Sequence, residues 1–298
     1  MLLISVFWEL MADHYTREQG GRLFGMIAAG GSLGAVVGPA LTSELVATTG
    51  PGPLLVVAAV LLEGVVLCLR TILRGRAASR TAVQAPIGGS AFAAVTLVAR
   101  SPLLLGICGY LFLHTFTSTF LYFEQAHLVA EQIPDDAGRT QFFARVDLAV
   151  NAIALVVQVF AFGRLIRWVG LVGGLLVVPI ISGVGLAALG VWPSLAVLAG
   201  VQVLRRSLNY AVAKPTREVL FTQVTREEAY KAKSLIDTAV YRGGDAVSGW
   251  AFAGLRTLQL SLGAVAWVAV PLCGLWMWIA IRLGRRAESL NREEPSRP

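Results

Sequence analysis

Ionisable and amide side chains recur at helical spacing within four apolar stretches of this 298-residue sequence. Asp147, Asn151, Ala154 and Gln158 fall at i, i+4, i+7 and i+11, which puts three polar groups on one helix face. Asp237, Tyr241, Asp245 and Ser248 make a second stripe, with Arg242 beside it. Gln202, Arg206 and Asn209 share one side of a third stretch, with Arg205 adjacent. His114, Ser118 and Tyr122 mark the fourth, followed by Glu124 towards its outer end. The planar fork of arginine holds two oxygens of a phosphate or carboxylate at once, so Arg205, Arg206 and Arg242 are candidate anion-binding groups. Asp147, Asp237 and Asp245 would balance that charge or carry a proton. Structural roles compete with these readings. Arg242–Asp245 and Arg145–Asp147 can be ion pairs that lock helices, and Arg205 and Arg206 can reach out to the cytoplasmic headgroups. His114 is either a proton shuttle or a buried ring bonded to a nearby threonine or serine.

The elements that must carry these groups follow from composition. Hydrophobic residues make up 56% of the chain and charged residues 14%, with a mean hydropathy of +0.68. A soluble domain carries about a quarter charged residues. Apolar runs of roughly twenty residues match the hydrocarbon core of a bilayer at a helical rise, and runs of that kind are not barrel strands. The fold class is therefore an all-α polytopic membrane protein. Spans are expected near 21–48, 53–72, 101–124, 142–163, 169–191, 194–213, 234–255 and 260–282. Residues 1–12 are apolar but only about half a span long; they read as the tail of a helix that begins earlier, or as an interfacial segment. Cys68, Cys108 and Cys273 lie inside apolar runs without metal-ligand spacing, and read as buried free thiols. No Walker-type phosphate loop, His-Glu-x-x-His or cysteine cluster is present. The sequence thus calls for no enzyme activity, cofactor or metal.

Lysine and arginine set the direction. Arg70, Arg74, Arg76, Arg80, Arg100, Arg164, Arg167, Lys214, Arg217, Lys231, Lys233 and the basic tail all fall in one set of connections, whereas Arg139 and Arg256 fall in the alternate set. The basic side is cytoplasmic, which puts the C-terminus inside and accounts for a net charge of +7 without a nucleic-acid partner. The stretch 74–100 starts polar and basic and ends in AFAAVTLVAR, an interfacial-helix pattern. It divides the chain into 1–73, a linker over 74–100, six spans over 101–284, and a tail over 285–298. Glu44 and Glu63 lie on the two early spans, Glu63 the deeper.

Six spans after a long basic loop resemble the C-terminal half of the major facilitator superfamily. Gly34-x-x-x-Gly38-Pro39 resembles the glycine–proline pattern on the fifth helix of many antiporters of that superfamily, where small residues allow close helix contact and proline bends the helix. A second stretch, KPTREVLFTQVTREEAYKAKSLIDTAVYRGGDAVSG, is similar to the segment after the tenth helix of the nucleotide-exchange translocases, the ATP:ADP antiporters of intracellular bacteria and plastids. Lys214, Pro215, Thr216, Arg217, Glu218, Lys231, Lys233, Asp237, Arg242 and Gly244 follow that family's order. The match covers about forty residues. The first three to four helices, which hold binding residues in those translocases, have no counterpart here, so nucleotide specificity does not carry over.

The resemblance implies a secondary transporter of a small, anionic organic solute, working by alternating access. The ligand-binding or ion-coupling candidates are then Arg205, Arg206, Asn209, Arg242, Asp245, Asp237, Tyr241, Asp147, Asn151 and His114. Gly34, Gly38, Pro39, Arg217, Glu218, Lys231 and Lys233 are candidates for gating and helix packing. Anionic headgroups are the competing partners of the cytoplasmic basic residues. The expected partners are the lipid bilayer of the cytoplasmic (inner) membrane and a small solute, with a coupling ion left open, as is oligomeric state. The alternatives are a nucleotide or phosphate-ester exchanger, and a non-transporting membrane scaffold or sensor on the same fold.

Overall fold

The computed structural model describes residues 17–75, 91–224 and 226–293. Expectations for residues 1–12, for residues 76–90 of the 74–100 linker and for residues 294–298 of the tail lie outside them. The described residues hold helices and no strand. Among the described residues, four helices are long and apolar enough to cross a membrane: Pro51–Thr71, Pro102–Gln132, Arg164–Val191 and Gly263–Leu290. The chain is an all-α polytopic membrane protein.

Each expected span coincides with helical backbone. Helix α1 covers Arg17–Thr49 and α2 covers Pro51–Gly75; Gly50 turns the chain between them at φ 74°, a left-handed value that glycine adopts without strain. Helix α3 (Ala91–Arg100) is the amphipathic segment. Helix α4 (Pro102–Gln132) starts at Ser101, whose hydroxyl accepts the Leu104 amide hydrogen. Helix α4 runs past the expected end at 124, because residues 125–132 keep an apolar face with Leu128 and Val129 buried. Helix α5 covers Asp136–Val156.

Helices α6 (Phe162–Val191) and α11 (Leu262–Glu293) flank α7 (Leu195–Leu208), α8 (Lys214–Leu220), α9 (Arg226–Leu235) and α10 (Tyr241–Thr257). Gly170, at φ 65°, interrupts α6, beside Arg164 and Arg167, where the sequence calls for a connection.

Among the described residues, four of the eight expected spans (21–48, 142–163, 194–213 and 234–255) have no helix that meets the length and apolarity needed to cross, and π-helical turns divide the last three. These turns occupy Val157–Ala161, Asn209–Ala213 and Ile236–Val240. In the second, the Lys214 amide bonds the Asn209 carbonyl five residues back. Pro215 supplies the reason: it has no N–H to give the Ala211 carbonyl, and its ring would clash there in a regular α-helix.

The chain divides into two compact units, Met1–Pro86 with Asp135–Asn151, and Ile87–Pro134 with Ala152–Pro298. In the first, α1 packs on α2, and the Gln141 amide donates to the Ser43 carbonyl at 3.3 Å. Ser43 and Val46 are buried. The apolar side chains of α2, from Leu55 to Leu67, are exposed along its length, as a helix surrounded by lipid or by other helices requires. Glu44 and Glu63 are exposed too, and so is Cys68, which corrects the expectation of a buried Cys68 thiol.

The second unit is organised around α4, α6 and α11. Helices α6 and α11 make the most extensive contact, and small residues let them approach. A Cβ on Gly263 would meet the Gly190 carbonyl oxygen at 2.9 Å, and one on Gly284 would meet Val172 at 2.7 Å. Apolar burial forms two main clusters. One gathers Leu104, Ile107, Leu111, Leu175, Val178, Leu220, Trp276 and Ala280. The other gathers Phe120, Leu121, Leu186, Leu189, Leu198, Val265, Ala269 and Cys273.

Candidate functional site

A polar layer lies where the two apolar clusters of the second unit meet. Along α4 one cluster ends at Leu113 and the other begins at Phe116, leaving His114 and Thr115 between them. Along α6 the change falls between Val178 and Leu186, around Ser182; along α11 it falls between Cys273 and Trp276. Helix α7 brings Arg205 in after Val201. His114, Thr115, Ser182 and Arg205 are all buried, and the His114 ring lies 5.6 Å from that of Trp276.

Arg205 is the centre of this layer. Its guanidinium is buried, only 3% of the residue remaining exposed. Its Nη2 donates to Gln202 Oε1 at 3.0 Å, and Gln202 Nε2 donates to Gln125 Oε1 at 2.7 Å. Gln202 and Arg205 are three residues apart on α7, hence on one face, and Gln125 meets them from α4. Among the described residues no carboxylate pairs with Arg205. Placing an arginine at mid-membrane costs about 2.5–3.5 kcal/mol on insertion scales, and here a neutral amide chain is what offsets it.

Hydrogen-bonding capacity remains unused in and beside the layer. Arg205 Nε, Gln125 Nε2, Trp276 Nε1, Ser182 Oγ and Thr115 Oγ1 are buried without a partner. Most buried polar atoms are bonded, so a group of exceptions points to something else that bonds there. Three of these atoms are N–H donors, and with a fixed positive charge among them the layer suits the oxygens of an anion.

A second polar feature lies between α4 and α10. Asp245 accepts the Thr119 hydroxyl at 2.7 Å, Ser248 donates to the Phe116 carbonyl at 2.9 Å, and Gly244 packs against Thr115. The Asp245, Ser248 and Tyr241 stripe thus faces α4. A cleft of about 420 Å3 opens here, lined by Ser118, Thr119, Tyr122, Phe123 and Asp245.

The other expected site residues of the second unit lie at the edge of the layer or on the surface. Arg206 is half-buried and engaged; Asn209 opens the π turn next to it. Arg242 is exposed and forms no ion pair with Asp245, which answers the helix-locking alternative for that pair. Arg145 is exposed as well; two residues from Asp147, it points to another side of α5. Asp147 and Asn151 belong to the first unit, where the Asn151 amide donates to the Asp147 carbonyl at 2.8 Å. The Asp237 side chain lies outside the described residues. Among the described residues no hydroxyl bonds the His114 ring; Thr117 bonds the His114 backbone carbonyl instead.

The residues read as gating candidates form cross-links. Lys233 Nζ meets Glu218 Oε2 at 2.6 Å, tying α9 to α8, and stands 5.0 Å over the Phe221 ring. Arg217 donates to the Tyr241 hydroxyl at 3.3 Å, tying α8 to α10. Lys231 is half-buried and engaged. Among the described residues no atom stands within 4 Å of a Cβ added at Gly34 or Gly38; Pro39 lies inside α1.

Gln125, Thr119, Ser182 and Trp276 are the residues that sequence reading missed. Gln125 lies eleven residues after His114, in phase with Ser118, so its helical face was legible. Ser182 and Trp276 are single residues in apolar runs, and only packing shows where they lie.

A buried cation and unsatisfied donors within an all-helical, membrane-spanning unit define a polytopic membrane protein with a polar interior. No family model matches the chain. Over 178 residues it is 28% identical to ADP,ATP carrier protein 1 of Chlamydia trachomatis, an alignment covering 52% of this chain and 34% of that protein. Over 189 residues it is 25% identical to ADP,ATP carrier protein 1 of Chlamydia pneumoniae, covering 55% and 37%. The chain spans about a third of the length of these curated relatives.

Proposed function

We propose that the protein is a secondary transporter that moves a small organic anion across the cytoplasmic membrane by alternating access, with Arg205 as the principal anion-binding group. The observation that carries this reading is the buried guanidinium, bonded to neutral amides and flanked by unsatisfied N–H donors. A permanently paired arginine would serve packing; one held by amides alone keeps its charge for a ligand. Arg206 and Arg242 then act on the anion's path, and Asp245 and His114 at the edges of the layer. Glu218–Lys233 and Arg217–Tyr241 hold the cytoplasmic end of the unit, and residues 101–284 form a facilitator-type six-helix half.

A nucleotide or phosphate ester is the favoured anion, since the partial similarity is to carriers named for ADP and ATP. The test is uptake of radiolabelled ADP, ATP, inorganic phosphate and a dicarboxylate by liposomes holding the full chain. The expected result is counter-exchange of at least one of these anions. Arg205→Ala should lower its rate by roughly 10-fold to 100-fold, the loss of one charge-assisted hydrogen-bonding group. Uptake of none, or unchanged uptake by Arg205→Ala, overturns the reading.

A further inference from the structure

Glu124 plays no part in the anion layer, and its surroundings are unusual for a carboxyl group. It is 2% exposed, and its Oε1 is buried without a hydrogen-bond partner. Leu121 and Leu128, one turn before and one turn after it on α4, are both buried in the second apolar cluster. No described side chain donates to it or forms an ion pair with it. The ionisable groups nearest in register are engaged elsewhere. His127, three residues on, meets Glu131 at 3.1 Å and Arg256 at 3.3 Å. Arg256, on the facing α10, also donates to the Leu260 carbonyl, and Asp245 on the same helix takes the Thr119 hydroxyl. From α7, Arg205 is held by Gln202; on α11, Cys273 is a free, buried thiol. With neither a donor nor a cation beside it, an ionised carboxylate is far costlier here than the neutral acid. A structural carboxyl would be bonded; one held neutral in an apolar layer is kept for a proton that comes and goes.

We infer that Glu124 is the coupling site of the transporter: it binds a proton from one side of the membrane and gives it up on the other as the anion moves. The carboxylate takes H+ to become the acid, and the acid returns H+ to water when the layer opens. This rests on the transport reading above. Its link to the anion is short, because Gln125, the next residue, holds Gln202, and Gln202 holds Arg205. A metal cation suits the position less well, as no cluster of ligand-type side chains forms among the described residues.

Two arms test the assignment. In the first, infrared difference spectra of the purified full chain between acidic and alkaline buffer should contain the carbonyl stretch of a protonated carboxyl that Glu124→Gln lacks. Identical spectra overturn the assignment, whether or not any solute is moved. In the second, liposomes are loaded with ADP or phosphate and given either a proton or a sodium gradient. Glu124→Gln should keep exchange of anion for anion and lose gradient-driven accumulation by roughly tenfold or more, the scale of a typical coupling free energy. Glu124→Asp should restore accumulation with a displaced pH profile. Proton-driven accumulation unchanged in Glu124→Gln, or accumulation driven by sodium alone, overturns it. Failure of the wild type to exchange any anion counts against the transport reading, and the infrared arm then decides the proton site by itself.

Discussion

At the residue scale, the account turns on the sign of one energy. The Gln202 amide offsets part of the cost of the buried guanidinium, and on the proposed reading a bound anion would offset the rest. Replacing buried charged groups by apolar ones of similar volume is often neutral or stabilising, by about 1–4 kcal/mol. Arg205→Met is therefore expected to raise the thermal midpoint of the purified protein while abolishing exchange; a fall in midpoint would mark Arg205 as a structural pin. Much of this site was legible in the sequence. Arg205, Gln202 and His114 stand out as polar residues in apolar runs, but helical counting groups Gln202 with Arg206 and Asn209, whereas the structure bonds it to Arg205. Which arginine is buried was not legible, because Arg205 and Arg206 differ only in the side of α7 they occupy. Packing decides between them, burying the first and leaving the second half-buried.

At the element scale, the π turns show where periodicity stops being a guide. A regular 3.6-residue count through Asn209–Ala213 misplaces everything beyond it, because the extra residue shifts the helix register. The spans near 194–213 and 234–255 were recognisable as helical, but not as helices broken in this way; Pro215 was the available clue to the first. Such turns are frequent at functional sites, and this one sits between Arg205 and the Arg217–Tyr241 link. Deleting one residue within 209–213 should remove the extra residue and force the Pro215 ring against the carbonyl four residues before it. We expect a folded, membrane-inserted protein of unchanged helicity by circular dichroism whose anion exchange is lost. Retained exchange would show the turn to be incidental. The Lys233–Glu218 bridge is half-exposed, and contacts of that kind contribute about 0–1 kcal/mol. Its effect belongs in exchange rates more than in stability.

At the scale of the whole molecule, composition alone identified the class. Apolar runs spaced by basic connections leave no other architecture open to a chain of this hydropathy. The structure refines the count, with four described helices that qualify as spans by length and composition and others that carry charge. Charged helices are where hydropathy is a poor guide, since burial against neighbours pays for polar groups that lipid would reject. Direction remains an inference from basic residues, and it can be checked directly. A reporter fused after Pro298 should be active in the cytoplasm, and one inserted at Pro134 should be active only outside. The reverse pattern would overturn the assigned topology and, with it, the cytoplasmic role given to the Glu218–Lys233 bridge.

The central claim is that Arg205 holds an anion in the polar layer, and ligand-dependent thermal stability of the purified full chain tests it most directly. A ligand at about a hundred times its dissociation constant stabilises the folded state by about 2.7 kcal/mol. One of ADP, ATP, phosphate or a dicarboxylate should raise the midpoint of the wild-type protein by a corresponding amount and leave that of Arg205→Met unchanged. Equal shifts in both proteins, or a shift in neither, would contradict the account.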